Sequence, residues 1–234
     1  MNRIPLISTI MSVYNSENTI ENSIKSILNQ SFENFEFIIV DDCSTDSSIE
    51  IIKNYQIYDK RVKLFKNDKN IGLTRSLNIA IRHSKGEIVA RQDSDDLSSP
   101  QRFEVQKNYL VSDKYDLCVS RAINKQNNKK LPRLSYFLPN NIVVKFKNPF
   151  IHGTLMIKKK VLNKIGNYNE SFYFAQDYFL FNELIKNNQK IKYIKEPLYI
   201  LNTENNISQN FKKQQDYYAM CIKKNIQPKV NLYK

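Results

Sequence analysis

The sequence predicts an α/β protein: a three-layer, Rossmann-like fold in which helices cover both faces of a mostly parallel central sheet. The main observation is that short apolar runs typical of buried strands alternate with segments whose apolar residues recur every three or four positions. Consecutive parallel strands need a crossover, which is usually a helix, so this alternation places helices on both faces. The length of 234 residues is enough for one such core, and 41% hydrophobic with 25% charged residues is typical of globular chains.

The first half of the chain supplies this alternation. Apolar runs predict strands at residues 6–13, 35–40, 62–66, 87–92 and 117–122. Helical spacing predicts helices at residues 20–28, 49–55, 73–84 and 100–111. In the first of these helices Ile20, Ile24 and Ile27 share one face, and Asn18 with Glu21 fits a capping box at its start.

The second half is less regular. Residues 124–150 are polar and basic and contain three prolines, which predicts a long loop. Weaker patterns predict strands at residues 154–157, 191–194 and 198–201, and helices at residues 177–188 and beyond residue 208. We therefore divide the chain into residues 1–122, residues 123–205 and a basic C-terminal tail of residues 206–234.

Composition excludes several classes of protein. No apolar run approaches the roughly 18 residues of a membrane span, and the N-terminal segment lacks the cleavage site of a signal peptide. Three widely spaced cysteines (Cys43, Cys118 and Cys221) and two histidines make neither a disulfide framework nor a zinc site. With only four glycines, the chain lacks the glycine-rich fingerprints of dinucleotide oxidoreductases and P-loop ATPases. We expect a cytoplasmic protein with reduced cysteines.

The net charge of +13 comes entirely from the second half of the chain. Residues 1–120 hold 15 basic and 17 acidic residues, whereas residues 121–234 hold 21 basic and 6 acidic residues. This asymmetry indicates nucleic acid, an anionic membrane surface or a polyanionic substrate as a partner, or else only a lysine-rich solvated surface. Charge alone leaves these alternatives open.

Polar side chains follow the predicted strands at their carboxyl ends, where open α/β sheets bind ligands. Tyr14 follows the first strand, Asp42 and Asp46 follow the second, and Arg75 lies shortly after the third. Each has a structural alternative. The two aspartates would also cap the next helix, Tyr14 would be an edge aromatic, and Arg75 would be a surface residue of its helix.

The fourth predicted strand is followed by Asp93, Asp95 and Asp96. Three carboxylates within four residues repel one another unless a cation neutralises them. Oxygen ligands at this density suit Mg²⁺ or Mn²⁺ shared with a substrate phosphate. The pattern therefore favours a metal site over a solvated acidic turn.

A further carboxylate is needed if this site is to move a proton. Asp177 is the best candidate among the few acidic residues of the second half, because it lies between Phe174 and Tyr178. Partial burial there would raise its pKa toward that of a working base. It also begins a predicted helix, so an N-terminal helix cap is the alternative.

Several longer segments carry a resemblance to a known family. In chain order they are ISTIMSVYNSENTIENSIKSILNQSFENFEFIIVDDCSTDSS, NIGLTRSLNIAI, GEIVARQDSDD, NPFIHGTLMIKKKVLNKIGNYNE and QDYFLF, and together they cover roughly residues 5–185. These segments resemble glycosyltransferase family 2, the inverting nucleotide-sugar transferases with the GT-A fold. The resemblance implies that residues 1–122 bind the donor and residues 123–205 form the acceptor side of the same GT-A domain.

The resemblance also implies roles for the donor side. Tyr14 would pack on the nucleotide base with Ser12 beside it. Asp42 would hydrogen-bond the imide nitrogen of the base, which favours uracil. Arg75 would lie near the diphosphate or the nucleoside.

The remaining implied roles concern the metal and the chemistry. Asp93 and Asp95 would form a DXD pair, with Asp95 as the direct metal ligand, and Asp96 would lie near the donor sugar. Asp177 would be the general base, and His152 would lie near the diphosphate and the acceptor. One departure from the family pattern follows: Gln176 stands where the family commonly has Glu.

The implied activity is metal-dependent transfer, with inversion, of a sugar from a nucleoside-diphosphate sugar, most simply a UDP-sugar. The acceptor would be a hydroxyl of a glycan or glycolipid in surface polysaccharide, capsule or lipooligosaccharide synthesis, with Mn²⁺ or Mg²⁺ as cofactor and no nucleic-acid partner. The basic second half would either dock on the anionic inner face of the plasma membrane or form an ordinary solvated surface. A nucleotidyltransferase and a basic nucleic-acid- or anion-binding module are the alternative functions.

Overall fold

The computed structural model describes residues 4–204 and 210–229. Its strands are β1 (Ile7–Val13), β2 (Phe35–Asp41), β3 (Val62–Lys66), β4 (Ile88–Arg91), β5 (Leu97–Ser98), β6 (Leu117–Asn124), β7 (Lys130–Leu131), β8 (Met156–Lys158) and β9 (Ile191–Leu201). Its helices are α1 (Ile20–Leu28), α2 (Ser48–Tyr58), α3 (Leu73–His83), α4 (Arg102–Val111), α5 (Asn140–Val143), α6 (Lys159–Lys164), α7 (Gln176–Lys186) and α8 (Lys212–Lys224). Two turns of 3-10 helix, Ser135–Phe137 and His152–Thr154, lie in the second half.

The strands form one mixed sheet in the order β3-β2-β1-β4-β8-β6-β9-β5, with β7 paired to β6. Strands β3, β2, β1 and β4 are parallel, so the first four strands of the chain form one parallel block. Strand β8 pairs antiparallel with β4 on one side and with β6 on the other, so it joins the parallel block to the rest of the sheet. Strands β6 and β9 are parallel to each other. The carboxyl ends of β1, β2 and β4 therefore meet at one edge.

Helices pack on both faces of the sheet, as the alternation in the sequence predicts. Side chains alternate in direction along β2: Phe37 and Ile39 belong to one core cluster, whereas Ile38 and Val40 belong to the other. The first cluster is completed by residues of α1, α2 and α4, and the second by residues of α3, α6 and α7. Every residue of β2 is buried, which explains why all of its residues except Glu36 and Asp41 are apolar.

The predicted three-layer α/β class is confirmed, and the elements of the first half lie within three residues of their predicted limits. None of the helices within residues 4–204 and 210–229 combines the length and apolarity of a membrane span. Helix α8, in the predicted basic tail, packs against α7 through Tyr218, Cys221 and Ile222 rather than extending into solvent. Residues 1–3, 205–209 and 230–234 of the predicted divisions lie outside the described residues.

Three local predictions were wrong. Helix α1 begins after Thr19 without a side-chain cap, so Asn18 and Glu21 do not form a capping box. The two short strands predicted at 191–194 and 198–201 are one strand, β9. Pro197 lies where the register of β9 against β6 shifts, and the pairing with β6 continues on both sides of it. The loop predicted at 124–150 contains β7, α5 and a 3-10 turn.

One fully buried cation joins the sheet to the loop after β4. All five N–H groups of the Arg102 guanidinium, on α4, find oxygen acceptors. Two are the main-chain carbonyls of Arg91, at 2.8 Å, and Leu155, at 3.3 Å. The others are the side chains of Gln92, Ser98 and Gln106. Burial lowers the pKa of Arg102 to about 10, so the guanidinium keeps its charge at neutral pH.

We expect Arg102→Met to lower the free energy of unfolding by about 3 kcal/mol, because it leaves buried oxygen acceptors without donors. The measurement is urea denaturation at neutral pH. The matched control is Arg82→Met, on the exposed end of α3, which should change stability by less than about 0.5 kcal/mol. Equal urea midpoints for the two variants would contradict the role given to Arg102.

Candidate active site

The parallel block brings the predicted residues to one edge of the sheet. Tyr14 directly follows β1, Asp42 directly follows β2, and the turn of residues 93–96 follows β4. Strand β1 pairs with both β2 and β4, so these three strand ends are neighbours. The site is therefore built where parallel strands end, as expected for an open α/β sheet.

The acidic turn, residues 93–96, is held from beneath by the buried side chain of Gln92. The Gln92 Nε2 amide donates to the main-chain oxygens of Asp93, at 3.1 Å, and Asp96, at 2.9 Å, which closes the turn. The Gln92 Oε1 atom accepts from Ser98 and Arg102, at 2.7 and 3.3 Å. The turn is thus fixed by the same polar cluster that contains Arg102.

The second half of the chain completes the acidic turn. The Tyr199 hydroxyl, on β9, accepts the Asp93 main-chain N–H at 3.1 Å and also hydrogen-bonds the Asp96 carboxylate. The main-chain N–H of Asn202 donates to Asp96 Oδ1 at 2.6 Å. Tyr199 is held closely itself, since a Cβ on Gly153 would overlap its ring.

The three carboxylates of the turn have different partners. Asp93 is paired with Arg91, a fully buried cation whose pKa is raised by Asp93 against the opposing effect of burial. Asp96 is buried, and burial with repulsion from Asp93 and Asp95 raises its pKa well above the ordinary range. Burial, followed by repulsion from Asp93, raises the pKa of Asp95 to about 6. Arg91 therefore supplies part of the neutralising charge that the sequence pattern assigns to a metal.

Asp95 is the residue of the turn best suited to a divalent cation. No three His, Cys, Asp or Glu side chains in the described part of the chain form a ready-made metal cage. Asp93 is engaged by Arg91 and Asp96 by Tyr199 and Asn202, whereas Asp95 forms no ion pair with a described residue. One carboxylate plus the phosphates of a substrate is a common way to hold Mg²⁺ or Mn²⁺. The residues present fit that arrangement.

Asp42 is buried and braces the loop after β3. Its Oδ1 atom accepts from Asn67 Nδ2 at 2.8 Å and from the Ile71 N–H at 2.9 Å, and its Oδ2 atom accepts from the Gly72 N–H at 2.8 Å. The helix-cap alternative for Asp42 is not what the structure has, because Asp46 instead accepts the Ser48 N–H at the start of α2. One acceptor position, on Oδ2, is not filled by any described residue.

Two half-exposed tyrosines flank this loop. Tyr14 is 50% exposed and Tyr173, from the second half, is 43% exposed. The Tyr173 ring lies on Gly72, where a Cβ would come within 2.4 Å of it. Burial, followed by the nearby Asp42 carboxylate, raises the pKa of Tyr173, and the Tyr14 hydroxyl adds to this effect. Tyr14 and Tyr173 thus both lie close to the loop that Asp42 braces.

The other two residues predicted to bind the sugar donor are Ser12 and Arg75. Ser12 is partly exposed near the end of β1. Arg75 lies in the first turn of α3, half exposed, with its Nε atom 3.4 Å from the Glu170 carboxylate. An exposed pair of this kind contributes little to stability.

Asp177 lies near the acidic turn, on the first turn of α7. Its Oδ2 atom accepts from Asn148 Nδ2 at 2.6 Å and its Oδ1 atom from the Tyr178 N–H at 2.8 Å. Burial raises the pKa of Asp177, and repulsion by Asp93 adds to the increase. The preceding Ala175 has a φ of 53°, a left-handed conformation that costs free energy in a non-glycine residue and turns the chain into α7.

His152 is linked to the same charges. Its Nε2 atom lies 2.6 Å from the Tyr168 hydroxyl. Burial, followed by the nearby Arg91 cation, lowers the pKa of His152 well below its usual value, so the imidazole is neutral at pH 7. Arg91 thus lies near both Asp93 and His152, and Asp93 in turn is near enough to Asp177 to raise its pKa.

Sequence analysis missed the residues that support this site. Arg91 and Gln92 end an apolar strand, and two polar residues at a buried strand end were the one available signal. Tyr199 and Asn148 carry no local signal, because they meet the site only through contacts between distant parts of the chain. Lys125 also approaches the turn, since its charge lowers the pKa of Asp95.

Comparison with known proteins agrees with this geometry. The model of the family described as "Glycosyl transferase family 2" matches residues 8–169. The putative glycosyltransferase EpsE of Bacillus subtilis is 37% identical over 171 residues, which are 72% of this chain and 62% of EpsE. The O-antigen biosynthesis glycosyltransferase WbnJ of Escherichia coli is 35% identical over 198 residues, covering 81% of this chain and 76% of WbnJ. The chain thus spans about three fifths of EpsE.

Solved structures confirm the fold. The S. aureus TarS 1–349 complex with UDP superposes with a TM-score of 0.73 at 22% identity, covering 96% of this chain and 67% of that one. The mannosyltransferase PcManGT from Pyrobaculum calidifontis, in complex with GDP-Man and Mn²⁺, gives 0.72 at 18% identity, covering 98% and 67%. The family match includes the acidic turn and the strands that carry it, and on this evidence the chain belongs to glycosyl transferase family 2 and is a glycosyltransferase with a GT-A-like fold.

Proposed function

We propose that this glycosyltransferase transfers a sugar, with inversion and with a divalent metal ion, from a UDP-sugar to a hydroxyl group of a glycan or lipid-linked glycan. The observation that carries the proposal is that two carboxylates with different surroundings lie in the same site. Asp95 lies in the acidic turn without an ion pair to a described residue, and Asp177 lies nearby with a pKa raised by burial. One suits the leaving group and the other suits the attacking hydroxyl.

The proposed base is Asp177. Asn148 and the Tyr178 N–H fix both carboxylate oxygens, so the orientation of the group is set before a substrate arrives. Burial raises the pKa of Asp177, which makes its carboxylate a stronger base than that of an exposed aspartate. The acceptor hydroxyl would lose its proton to Asp177 as its oxygen attacks the anomeric carbon, and attack from the side opposite the leaving group inverts that centre.

The proposed leaving-group side is the acidic turn. Asp95, with Asp93 beside it, would hold Mg²⁺ or Mn²⁺ together with the diphosphate. The bound ion would stabilise the negative charge that develops on the diphosphate as the glycosidic bond breaks. Asp96, held by Asn202 and Tyr199, would face the donor sugar. Buried Arg91 would offset part of the negative charge of the turn, and the neutral His152 imidazole would add no charge to it.

The proposed donor nucleotide is UDP. Asp42 retains one acceptor position, which suits the imide N–H of uracil, and the half-exposed Tyr14 suits stacking on the base. Among the similar proteins, TarS has been solved with UDP and with UDP-GlcNAc, and WfgD of E. coli is named a UDP-Glc-dependent glucosyltransferase. PcManGT, in contrast, was solved with GDP-Man, so the nucleotide needs a direct test.

The proposed acceptor belongs to surface-polysaccharide synthesis at the cytoplasmic face of the membrane. WbnJ is named for O-antigen biosynthesis, and the name of WfgD, which is 28% identical over 186 residues covering 78% of this chain and 71% of WfgD, specifies a diphosphoundecaprenol-linked GlcNAc. The acceptor side of this chain is the basic half, which suits an anionic, phosphate-bearing acceptor.

We expect Asp177→Asn to reduce sugar transfer at least about 100-fold with little change in donor binding, because the variant keeps the shape but removes the base. The measurement is transfer to an acceptor, with UDP binding followed by calorimetry. The matched control is Asp216→Asn, an exposed aspartate of α8, which should retain full activity. Transfer by Asp177→Asn at the wild-type rate would remove Asp177 from its role, and a product that carries nucleotide would indicate a nucleotidyltransferase.

Asn148→Ala should move the acidic limb of the pH–rate profile to higher pH. The Asn148 hydrogen bond favours the charged form of Asp177 and lowers its pKa, so its loss raises that pKa further. Loss of such a bond corresponds to a shift of up to about one pH unit. The measurement is kcat/KM across pH at saturating donor, and the control is the exposed Asn141→Ala. An unchanged acidic limb in Asn148→Ala would separate this limb from Asp177.

Nucleotide and metal binding should stabilise the protein together. We expect UDP with Mn²⁺ or Mg²⁺ to raise the melting temperature, and EDTA to remove most of the increase. Asp95→Asn should lose the metal-dependent part. Without metal this variant should melt at least as high as the wild type at pH 7.5. A carboxyl whose folded pKa is raised to about 6 destabilises the fold above that pH, and Asn removes this cost.

The control for this experiment is Asp68→Asn, which is exposed and outside the acidic turn. It should behave as the wild type with every nucleotide. A shift with GDP instead of UDP would change the donor but keep the transferase. The absence of any shift with UDP, GDP, CMP or dTDP would contradict the proposed donor site.

A further inference from the structure

Exposed apolar side chains are concentrated in one segment of the acceptor half. Of thirteen exposed large hydrophobic residues among those described, five lie within residues 134–146, and they are Leu134, Phe137, Leu138, Ile142 and Phe146. Phe137 is 72% exposed and Phe146 is 68% exposed. Single exposed apolar residues are common, but a local group of this size marks an interaction surface.

The inward side of this segment is fixed to the fold. Val143 and Val144 are buried, and the Tyr178 hydroxyl donates to the Val144 oxygen at 2.6 Å. Tyr136 packs edge-on against Tyr193, with ring centroids 4.8 Å apart. Since these residues hold the segment from behind, their exposed neighbours are presented outward by packing rather than by a loose loop.

The surroundings of the segment are uniformly basic. Residues 117–169 hold eleven Lys and Arg and no Asp or Glu. Lys129, Lys130, Arg133, Lys145 and Lys147 flank the apolar residues, are exposed, and form no ion pair with any residue that the structure describes. Apolar side chains with unpaired cations around them fit a surface that is anionic outside and apolar beneath.

We propose that residues 134–146, together with these flanking cations, form a surface that docks on an anionic lipid bilayer, with the apolar side chains entering the headgroup region. Association with a second copy is disfavoured, because it would bring two sets of unpaired cations together. A nucleic-acid backbone would match the cations but would leave the leucine and phenylalanine side chains without apolar contacts.

The docking surface lies next to the proposed base. Asn148, which holds Asp177, is two residues beyond Phe146 on the same stretch of chain. A membrane-seated segment would therefore bring Asp177 close to the bilayer surface, where an acceptor attached to a lipid is presented. This step deepens the proposed function and rests on it, whereas bilayer binding itself does not.

The test is flotation of the purified full chain with vesicles of phosphatidylcholine, with or without about a third phosphatidylglycerol. We expect binding to the anionic vesicles only, weakening as salt is raised. The double substitution Phe137→Ser and Phe146→Ser should weaken binding at least about tenfold. Its matched control is Ile57→Ser and Tyr58→Ser, which removes two residues of α2 that are equally exposed, and binding should stay unchanged.

Three results would overturn the proposal. The first is failure of the wild type to bind anionic vesicles at low salt. The second is equal loss of binding in both double variants. The third is a wild-type dimer in light scattering that Phe137→Ser and Phe146→Ser dissociates without any vesicle binding, which would make the surface a contact between copies. UDP-dependent thermal stabilisation, measured in every variant, reports on the transferase site independently.

Discussion

The buried guanidinium of Arg102 is the interaction on which the geometry of the site depends. It connects helix α4 to main-chain oxygens of two neighbouring strands, β4 and the start of β8, and to the side chain that closes the acidic turn. A buried charge is unfavourable unless each hydrogen-bond donor of the group has an acceptor, and all five N–H groups of Arg102 have one. Such a cluster tolerates one arrangement of its members, so the turn above it has one shape.

A second buried cation works against the acidity of the turn. Arg91 is paired with Asp93 and is near enough to His152 to lower the pKa of that imidazole. Its Nε atom finds no hydrogen-bond partner among the described residues, so its charge is held by coulombic attraction more than by a complete set of bonds. Arg91 thus offsets part of the negative charge of the turn.

The fold was predictable from the sequence wherever buried apolar residues recur at regular intervals. Strands such as β3, and helices such as α1, follow from apolar spacing alone, because burial on one or two faces leaves a repeating pattern. The carboxylates were predictable as well, since three charges in one turn need an explanation that ordinary surface residues do not. Their partners were not: Tyr199 is 106 residues away from Asp93 in sequence, and Asn148 is 29 away from Asp177. Nothing local distinguishes such a tyrosine from any other apolar position in a strand.

The same limit explains the misjudged strand around Pro197. Proline is usually confined to the ends and edges of strands. Pro197 does not end β9, because it lies where the register between β6 and β9 shifts, and only the structure shows that shift. Exposed residues were equally hard to foresee. The polar and basic composition of residues 124–150 predicted only a loop, and the packing of Val143 and Val144 is what shows which side of residues 134–146 faces inward.

Strand β5 pairs with β9 immediately after the acidic turn, and that turn is contacted by Tyr199, on β9, and by Asn202, which directly follows β9. The two halves of the chain are therefore not interchangeable modules. A chimaera that takes its second half from a relative must import a strand whose tyrosine and main-chain amide meet the host's turn in the same register.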